Sequence, residues 1–516
     1  MDTKALRQKI LDLAIRGKLV PQDPNDEPAS VLLERIHAEK QQMVKDGKLK
    51  AKDIKNDTVI FKGDDNLHYE QFHDGTVKCI EDEIPFELPE GWAWTRLDNL
   101  SCLIQYGLSN SAEGQGSHRL LRITDIQDGK VNWADVPFTT VDNAEKYLLR
   151  KNDIVFARTG ATVGKSFFIT ELPYECVYAS YLIRIRLFEC ISSSYLYQFF
   201  NSHCYWEQIT DKSVGVGQPN CNGTSLKKLF IPLPPLNEQK RIFPAANSLL
   251  EYAAVIESEK ASMQEIINLT KSKILDLAIR GKLVPQDPND EPASVLLERI
   301  RAEKEELIKQ GKIKRNKKES VIFKGDDNSY YEDLPVNWSV SSLSEITTNL
   351  ILNDGDWILS DNMVPSGEIK LIQLGSVGFL EYVNKGFKYL TPEIFNELGC
   401  TEIHSGYMLI NRIVSNKMCA CILPKIEGKK ITTVDTCWIA PKDDWYNLKY
   451  ILYAISSPLF QSFVMINSSG TTRKRISKSI LVSLPLAFPP LAEQKRIVEA
   501  IEVAFTKLDE ITNSIL

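Results

Sequence analysis

Apolar side chains recur at alternating intervals of four and three through the middle of the chain. The positions are Ile242, Ala246, Leu249, Ala253, Ile256, Lys260, Met263, Ile267, Thr270, Ile274 and Leu277, and nine of these eleven are apolar. That spacing is the seam of a helix packed lengthwise on another helix. Gly281 and Pro285 stop it, the glycine serving as a left-handed cap. A helix over 238–280 would be roughly 65 Å long at ~1.5 Å per residue. Alone it would leave its seam in water, and the chain supplies a partner in two pieces. Ile497, Ile501, Ala504, Leu508, Ile511 and Ile515 repeat the register of 242–260 at an offset of 255. Leu6, Ile10 and Leu13 repeat Thr270, Ile274 and Leu277 at an offset of 264. The two chain ends thus rebuild a second copy, expected to run antiparallel to the first.

The same duplication is legible letter by letter. Residues 9–36 (KILDLAIRGKLVPQDPNDEPASVLLERI) recur unchanged at 273–300, and VIFKGDDN occurs at 59–66 and 321–328. LPEGW (88–92) answers LPVNW (334–338), and PPLNEQKRI (234–242) answers PPLAEQKRI (489–497). The order is frame segment A, variable stretch, frame segment B, then all three again. In each A segment a short helix follows DPNDEP, with Asp26 or Glu27, and Asp290 in the copy, as expected caps and Pro28 in the first turn. The variable stretches, 86–235 and 333–490, mix β-rich runs (120–126, 154–158, 177–187; 369–377, 418–423, 436–440) with one helix near the end (194–209; 446–463). That is an α+β pattern. The expected organisation is a frame segment 1–85, a variable domain 86–235, a central frame region 236–332 carrying the long helix, a second variable domain 333–490 and a half helix 491–516. The frame is constant and the mounted domains diverge, as one spacing with two readouts would require.

A length of 516 residues accommodates two substantial cores. Residues 1–18 are charged throughout and no 18-residue apolar run occurs, so a cytoplasmic address is expected. The ten cysteines are scattered, as small buried apolar residues are, rather than clustered as metal ligands. The net charge of −6 excludes a uniformly basic nucleic-acid binder and makes any such contact patchy. Residues 301–318 hold eight Lys or Arg against three Glu, and 471–478 hold four against none. The Lys-rich stretches 40–55 and 304–318 fit either a solvated surface or phosphate contact.

RTGATVGKS (158–166) resembles a phosphate-binding loop but has three residues between Gly160 and Gly164 where four are needed, and it leads into the β-type run SFFIT. It reads as a glycine-rich turn between strands. Arg158, Thr159, Thr162 and Lys165 carry the donors that DNA recognition uses, and the turn is either a DNA-facing loop or a plain surface hairpin. The matching stretch NRIVSNK (411–417) lacks the glycines and offers Arg412 and Lys417. Two polar, basic stretches precede the B elements. GVGQPNCNGTSLKK (215–228) supplies Gln218, Lys227 and Lys228, and SSGTTRKRISK (468–478) supplies Arg473, Lys474, Arg475 and Lys478, for phosphate contact or as solvated turns. There is no NPPY-like tetrad, no GxGxG after a strand, no Walker A and no nuclease carboxylate cluster, and six scattered histidines form no acid–base constellation. No chemistry, cofactor or metal is expected on this chain.

Across essentially its whole length the chain resembles the specificity subunit of type I restriction-modification systems. The resemblance rests on the LPPL and FPPL runs before EQKRI, on LPEGWAWTRL, and on LRITDIQDG and NDIVFARTGATVGKSFFI within the first variable domain. It implies two similar α+β target-recognition domains joined by a long antiparallel two-helix coiled coil, with an internal pseudo-twofold repeat. Each domain would read one half of a bipartite, asymmetric DNA site, the helices setting the spacer. It further implies two modification subunits, which carry S-adenosylmethionine and methylate adenine, and restriction subunits that cleave DNA with ATP and Mg. The family often begins directly with its first recognition domain, whereas here about 85 residues of frame come first, half the frame displaced to the N-terminus. Exposed parts of the EQKRI elements, Glu238, Arg241, Glu493 and Arg496, are expected near the contact with modification subunits. Two other classes compete: a scaffold joining two unrelated ligand-binding domains, and a self-sufficient methyltransferase or nuclease.

Overall fold

A computed structural model describes residues 2–51, 54–127, 129–212, 221–314, 331, 333–471 and 473–515. Gln218 and the second VIFKGDDN, at 321–328, lie outside the described residues. The chain divides into two compact units, Met1–Glu259 and Lys260–Leu516. Its frame helices are α1 (Thr3–Ile15), α2 (Ala29–Lys45), α3 (Leu236–Ile279), α4 (Ala293–Lys309) and α5 (Leu491–Ile515). Among the described residues no helix is long and apolar enough to cross a membrane.

In the first unit Asp2 caps α1, its carboxylate accepting the N–H groups of Lys4 and Ala5 at 2.9 and 3.1 Å. Ile10 and Ala14 share a buried core with Ile242 and Ala246 of α3, and Arg7 reaches Glu257. Earlier residues of α1 therefore meet later residues of α3, the antiparallel sense. In the second unit Ile497 and Ile501 of α5 share a core with Leu275, Ala278 and Ile279 of α3, and Lys271 pairs with Asp509 in the same sense. Each fully buried aliphatic side chain in these seams contributes about 1.5–3 kcal/mol. Three predicted seam positions turn outward: Leu249 is 42%, Met263 39% and Ile511 45% exposed. A straight α-helix drifts ~20° per heptad, so a strict four–three reading loses the buried face after a few turns.

The repeated words of the sequence pack on one another. Gly17 and Gly281 end α1 and α3 at φ +64° and +66°. A Cβ on either would lie 2.6 Å from Pro89 or 2.4 Å from Pro335, so the stop must be glycine for the LPxxW turn to sit against it. The Trp92 indole then donates to Glu238 Oε2 at 2.9 Å, and Trp338 to Glu493 at 2.9 Å. Gln239 accepts the N–H of Ser192 at 3.0 Å and Gln494 that of Asn447 at 2.7 Å, which ties segment B to the caps of Ser193–Phe199 and Leu448–Ser456. Arg241 pairs with Asp26 and Arg496 with Asp290, each at 2.6 Å.

Asp26 and Asp290 are therefore not the expected helix caps. The N–H of Ala29 goes to Gly91 O at 2.8 Å and that of Ala293 to Asn337 O at 2.9 Å, with no side-chain cap on α2 or α4. A guanidinium, a charged donor, outcompetes a neutral backbone N–H for the carboxylate. The Lys-rich stretches also begin unlike a solvated or phosphate-facing surface. Lys40 is buried, with Nζ on Asp57 at 2.7 Å and on Asp98 O at 2.9 Å, and buried Lys304 reaches Ser344 O and Glu345 O.

Each unit carries an α+β domain with the same topology. The first has β1 (Ser101–Tyr106), β2 (His118–Leu121), β3 (Ile154–Ala157), β4 (Ser166–Phe168), β5 (Cys176–Tyr178) and β6 (Leu182–Leu187). An antiparallel sheet runs β4-β3-β6-β1, and beside it β5 lies parallel to β2, which also pairs with Phe138–Thr139. The second has β7 (Leu352–Asp354), β8 (Ile369–Ile372), β9 (Met408–Asn411), β10 (Ala420–Ile422), β11 (Lys430–Thr432) and β12 (Thr436–Ile439), ordered β10-β9-β12-β7 with β11-β8 and Lys388–Leu390 alongside. The single helix expected near each domain's end is two: Ser193–Phe199 with His203–Lys212, and Leu448–Ser456 with Pro458–Ile466. Ser457, extended at ψ 150° ahead of Pro458, breaks the second pair.

Candidate nucleic-acid interface

Shared backbone bonds fix which residues correspond in the two domains. Arg158 and Arg412 both follow a central strand; their N–H groups donate to Tyr181 O (3.1 Å) and Asp435 O (2.8 Å), and their carbonyls accept from Cys221 and Ile476, each at 3.0 Å. Gly107 and Gly355 approach the neighbouring strand so closely that a Cβ would lie 2.2 Å from Tyr178 O and 2.4 Å from Thr432 O. On this common skeleton the loop tips differ.

In the first unit, residues 158–165 form the turn between antiparallel β3 and β4 that the glycine spacing predicts. Gly160 and Gly164 take φ +76° and +90°, and a Cβ on Gly164 would lie 2.5 Å from Trp206. Lys165 is exposed; Arg158, Thr159 and Thr162 are half-buried. The Arg158 guanidinium sits 4.8 Å from the centre of the Tyr106 ring, and its Nε has no hydrogen-bond partner among the described residues. Tyr181, exposed by 61%, holds the Arg158 N–H through its carbonyl. Lys227 and Lys228 are not brought to this turn. Lys227 pairs with Asp98 at 3.0 Å, and both lysines line a cleft with Lys55, Lys78 and Arg96.

In the second unit two separately chosen stretches meet. Ile413–Val414 pairs antiparallel with Lys474–Arg475, and Gly470 at φ +113° turns the latter hairpin. Arg412 leaves the set of DNA-contact candidates: it is 6% exposed, lies 3.1 Å from Asp354 and donates to Val434 O. Lys478 also turns to Asp354 at 3.4 Å, and Arg475 to Asp435 at 2.9 Å. Arg473 and Lys474 stay exposed, as does Lys417, stacked 3.7 Å over Phe379. Arg473 and Arg475 line a cleft of about 470 Å³ with Gln373, Lys388 and Trp357. The sequence signal for Trp357 is its place in GDWILSDN, an apolar run in a loop bounded by turn formers and without a basic residue.

The EQKRI residues named for docking are spent inside their own units. Glu238 and Glu493 are 2% and 1% exposed, with burial pushing their carboxyls upward. The Arg241 hydrogen bond holds the Asp26 carboxyl below its ordinary value. The exposed members of these elements are Lys240 and Lys495. All ten cysteines are free thiols. His68, Glu81 and Glu87 bring ligand atoms within 4.8 Å of one another, an arrangement accounted for by the bonds of His68 to Glu81 and of Lys62 to Glu87.

Comparison with known proteins agrees with this duplicated layout. The type I restriction modification DNA specificity domain matches residues 119–266 and 335–516. The chain is 27% identical to the type I restriction enzyme EcoEI specificity subunit of Escherichia coli, covering 98% of this chain and 90% of that one. It is 29% identical to the EcoAI specificity subunit of the same organism, over 66% of this chain and 62% of that one. A solved structure described as the structural basis of complex assembly and conformational transition of the type I R-M system superposes with a TM-score of 0.58 at 18% identity, covering 84% of this chain and 94% of that one. With the domain matched once in each unit, on the skeleton the two units share, the chain belongs to the family of type I restriction-modification specificity subunits.

Proposed function

We propose that this chain selects the DNA sequence for a type I restriction-modification complex, each unit reading one half of a bipartite, asymmetric site. Arg158, Thr159, Thr162 and Lys165 face DNA in the first unit, and Arg473, Lys474 and Lys417 in the second, contacting phosphates and base edges. The observation that carries this reading is one hydrogen-bonded skeleton, present twice, with different cationic and aromatic residues at its loop tips. A frame that sets spacing and exchangeable tips that set sequence would have this form.

The long helix α3 acts as the ruler between half-sites, and the modification subunits dock on its outer stripe. Support for docking comes from Leu249, Tyr252 and Val255 in the first unit, and from Met263, Ile266 and Leu269 in the second, all exposed by 39–65%. Apolar residues in such a row, left in water, mark a protein interface. The chain performs no chemistry: S-adenosylmethionine belongs to the modification subunits, ATP and Mg to the restriction subunits. The test is adenine-methylation sequencing of a host expressing this chain with its modification subunit, against the modification subunit alone. A new bipartite motif is expected; a stable complex that writes no motif rejects the reading in favour of a scaffold.

A further inference from the structure

We infer that Trp357 is a specificity-determining residue of the second unit, packing its indole against bases of the half-site that this unit reads. The inference rests on the proposed DNA-reading role of that unit.

Trp357 is 68% exposed and Leu359, two residues on, 56%. The largest apolar side chain of the set left this far in water forfeits its burial unless something covers it. Its backbone is held firmly. The preceding residue, Asp356, donates its N–H to Thr432 O at 2.9 Å, accepts from Val434 N–H at 2.8 Å through its carbonyl, and accepts from Thr401 N–H at 2.9 Å through its carboxylate. On the far side Val364 is bridged to Tyr389 by bonds of 2.9 and 3.2 Å. Between them Leu359 and Asn362 close an inner turn, Asn362 N–H to Leu359 O at 3.1 Å and Leu359 N–H to Asn362 Oδ1 at 3.2 Å. A bulky ring presented on a loop fastened at both ends loses little freedom on binding.

The surroundings say what covers it. Across the cleft lie Gln373, Lys388, Arg473 and Arg475. Of the acidic groups near this cleft, Asp435 is occupied by Arg475 and Asp356 by the Thr401 N–H. A ring beside Arg473, Lys388 and one amide, with the Arg475 charge met by Asp435, fits DNA, in which phosphates meet Arg473 and Lys388, a base meets the ring, and a glutamine can pair with adenine. The first unit gives the contrast. Between Gly107 and Gly116 its equivalent loop has eight residues, LSNSAEGQ, none aromatic, where Gly355 and Gly367 enclose eleven, and Ser109 stands where Trp357 does. The ring therefore belongs to one readout and not to the shared frame.

The experiment uses the full chain with its modification subunits, as wild type, Trp357→Ala and Trp357→Phe, reading the methylated motif and competition by duplexes of that motif. For Trp357→Ala, one or two adjacent positions should relax in one half-site only. Affinity for the cognate duplex should drop about ten- to a hundredfold, as loss of an aromatic–base contact does. Trp357→Phe should stay within about threefold. Unchanged motif and affinity in Trp357→Ala would overturn the inference and leave the reading of the unit intact, as would equal relaxation of both half-sites. A wild-type complex that writes no bipartite motif overturns both.

Discussion

Arg158 and Arg412 hold one place in two copies of the same skeleton, and their neighbours give them opposite work. Position 106 is Tyr in the first unit and its counterpart, 354, is Asp in the second. Both end a strand, β1 or β7, that pairs with β6 or β12: Tyr106 with Ile183, Asp354 with Cys437. A carboxylate at that position takes the guanidinium, and Arg412 is buried at 3.1 Å from it. A ring takes the face of the guanidinium and supplies no opposite charge; the Arg158 guanidinium sits 4.8 Å from the centre of the Tyr106 ring. Equivalent residues in equivalent folds thus keep different company: the Asp354 carboxylate makes Arg412 a strut, while the proposed reader Arg158 meets a ring instead. The frame behaves in the opposite way: its Trp–Glu, Gln–backbone and Arg–Asp bonds recur in both units, and Gln286 on Glu493 is an added bond of the second.

The equivalence of the frame is open to the harshest test. Trp92→Ala and Trp338→Ala should each cost about 3–5 kcal/mol by urea unfolding, because each removes a buried indole and the hydrogen bond it donates to a buried carboxylate. The two costs should agree within about 1 kcal/mol; a large cost at one site and none at the other would break the claim that the frame is duplicated energetically. The difference between the domains is tested next. Arg412→Ala should cost about 2–3 kcal/mol of stability by removing a buried side chain and its ion pair and leaving Asp354 to Lys478 alone, with no change in which bases are read beyond that. Arg158→Ala should leave the unfolding midpoint nearly unmoved and lower affinity for cognate DNA by about 1–3 kcal/mol. The reverse pattern would refute the assignment of strut and reader.

A smaller effect concerns docking, where the two units should again behave alike. Tyr252→Glu and Ile266→Glu each place a charge in the exposed stripe and should weaken co-purification of modification subunits by about 2 kcal/mol, with unfolding unchanged. Retention of both subunits by both variants would move the docking surface elsewhere.

How far the sequence alone carried follows from these residues. The long helix, its split partner and the glycine stops were legible because periodicity and left-handed caps are local properties. The roles of Asp26, Glu238 and Arg241 were not, because each is defined by a partner about 150–215 residues away, and a helix cap is the reading an isolated Asp suggests. The turn at 158–165 was read correctly from two glycines. The chemical type of Arg412 suggests a DNA contact, and only the strand pairing that sets Asp354 beside it shows that its charge is spent. The strand Met408–Asn411 lies outside the β-rich runs that the sequence predicts.

The smallest effect expected distinguishes two acids of the same clasp by sign. Burial raises the Glu238 carboxyl above its ordinary value, so the folded state holds that proton more tightly than the unfolded chain does. Its contribution is favourable below the ordinary glutamate range and is lost as pH rises through the folded value. Asp26 is lowered by the Arg241 hydrogen bond, so its contribution is present above the ordinary aspartate range and lost as pH falls through the folded value. Glu238→Gln keeps an acceptor for the Trp92 indole and removes the first dependence alone. The variant should therefore gain stability relative to wild type as pH rises from about 4 to 7, while its loss on further acidification, which belongs to Asp26, persists. Melting curves across that range decide it: parallel profiles for wild type and variant would mean that Glu238 titrates alike in the folded and unfolded chain. The clasp would then owe its strength to packing of Trp92 and not to the state of the acid beneath it.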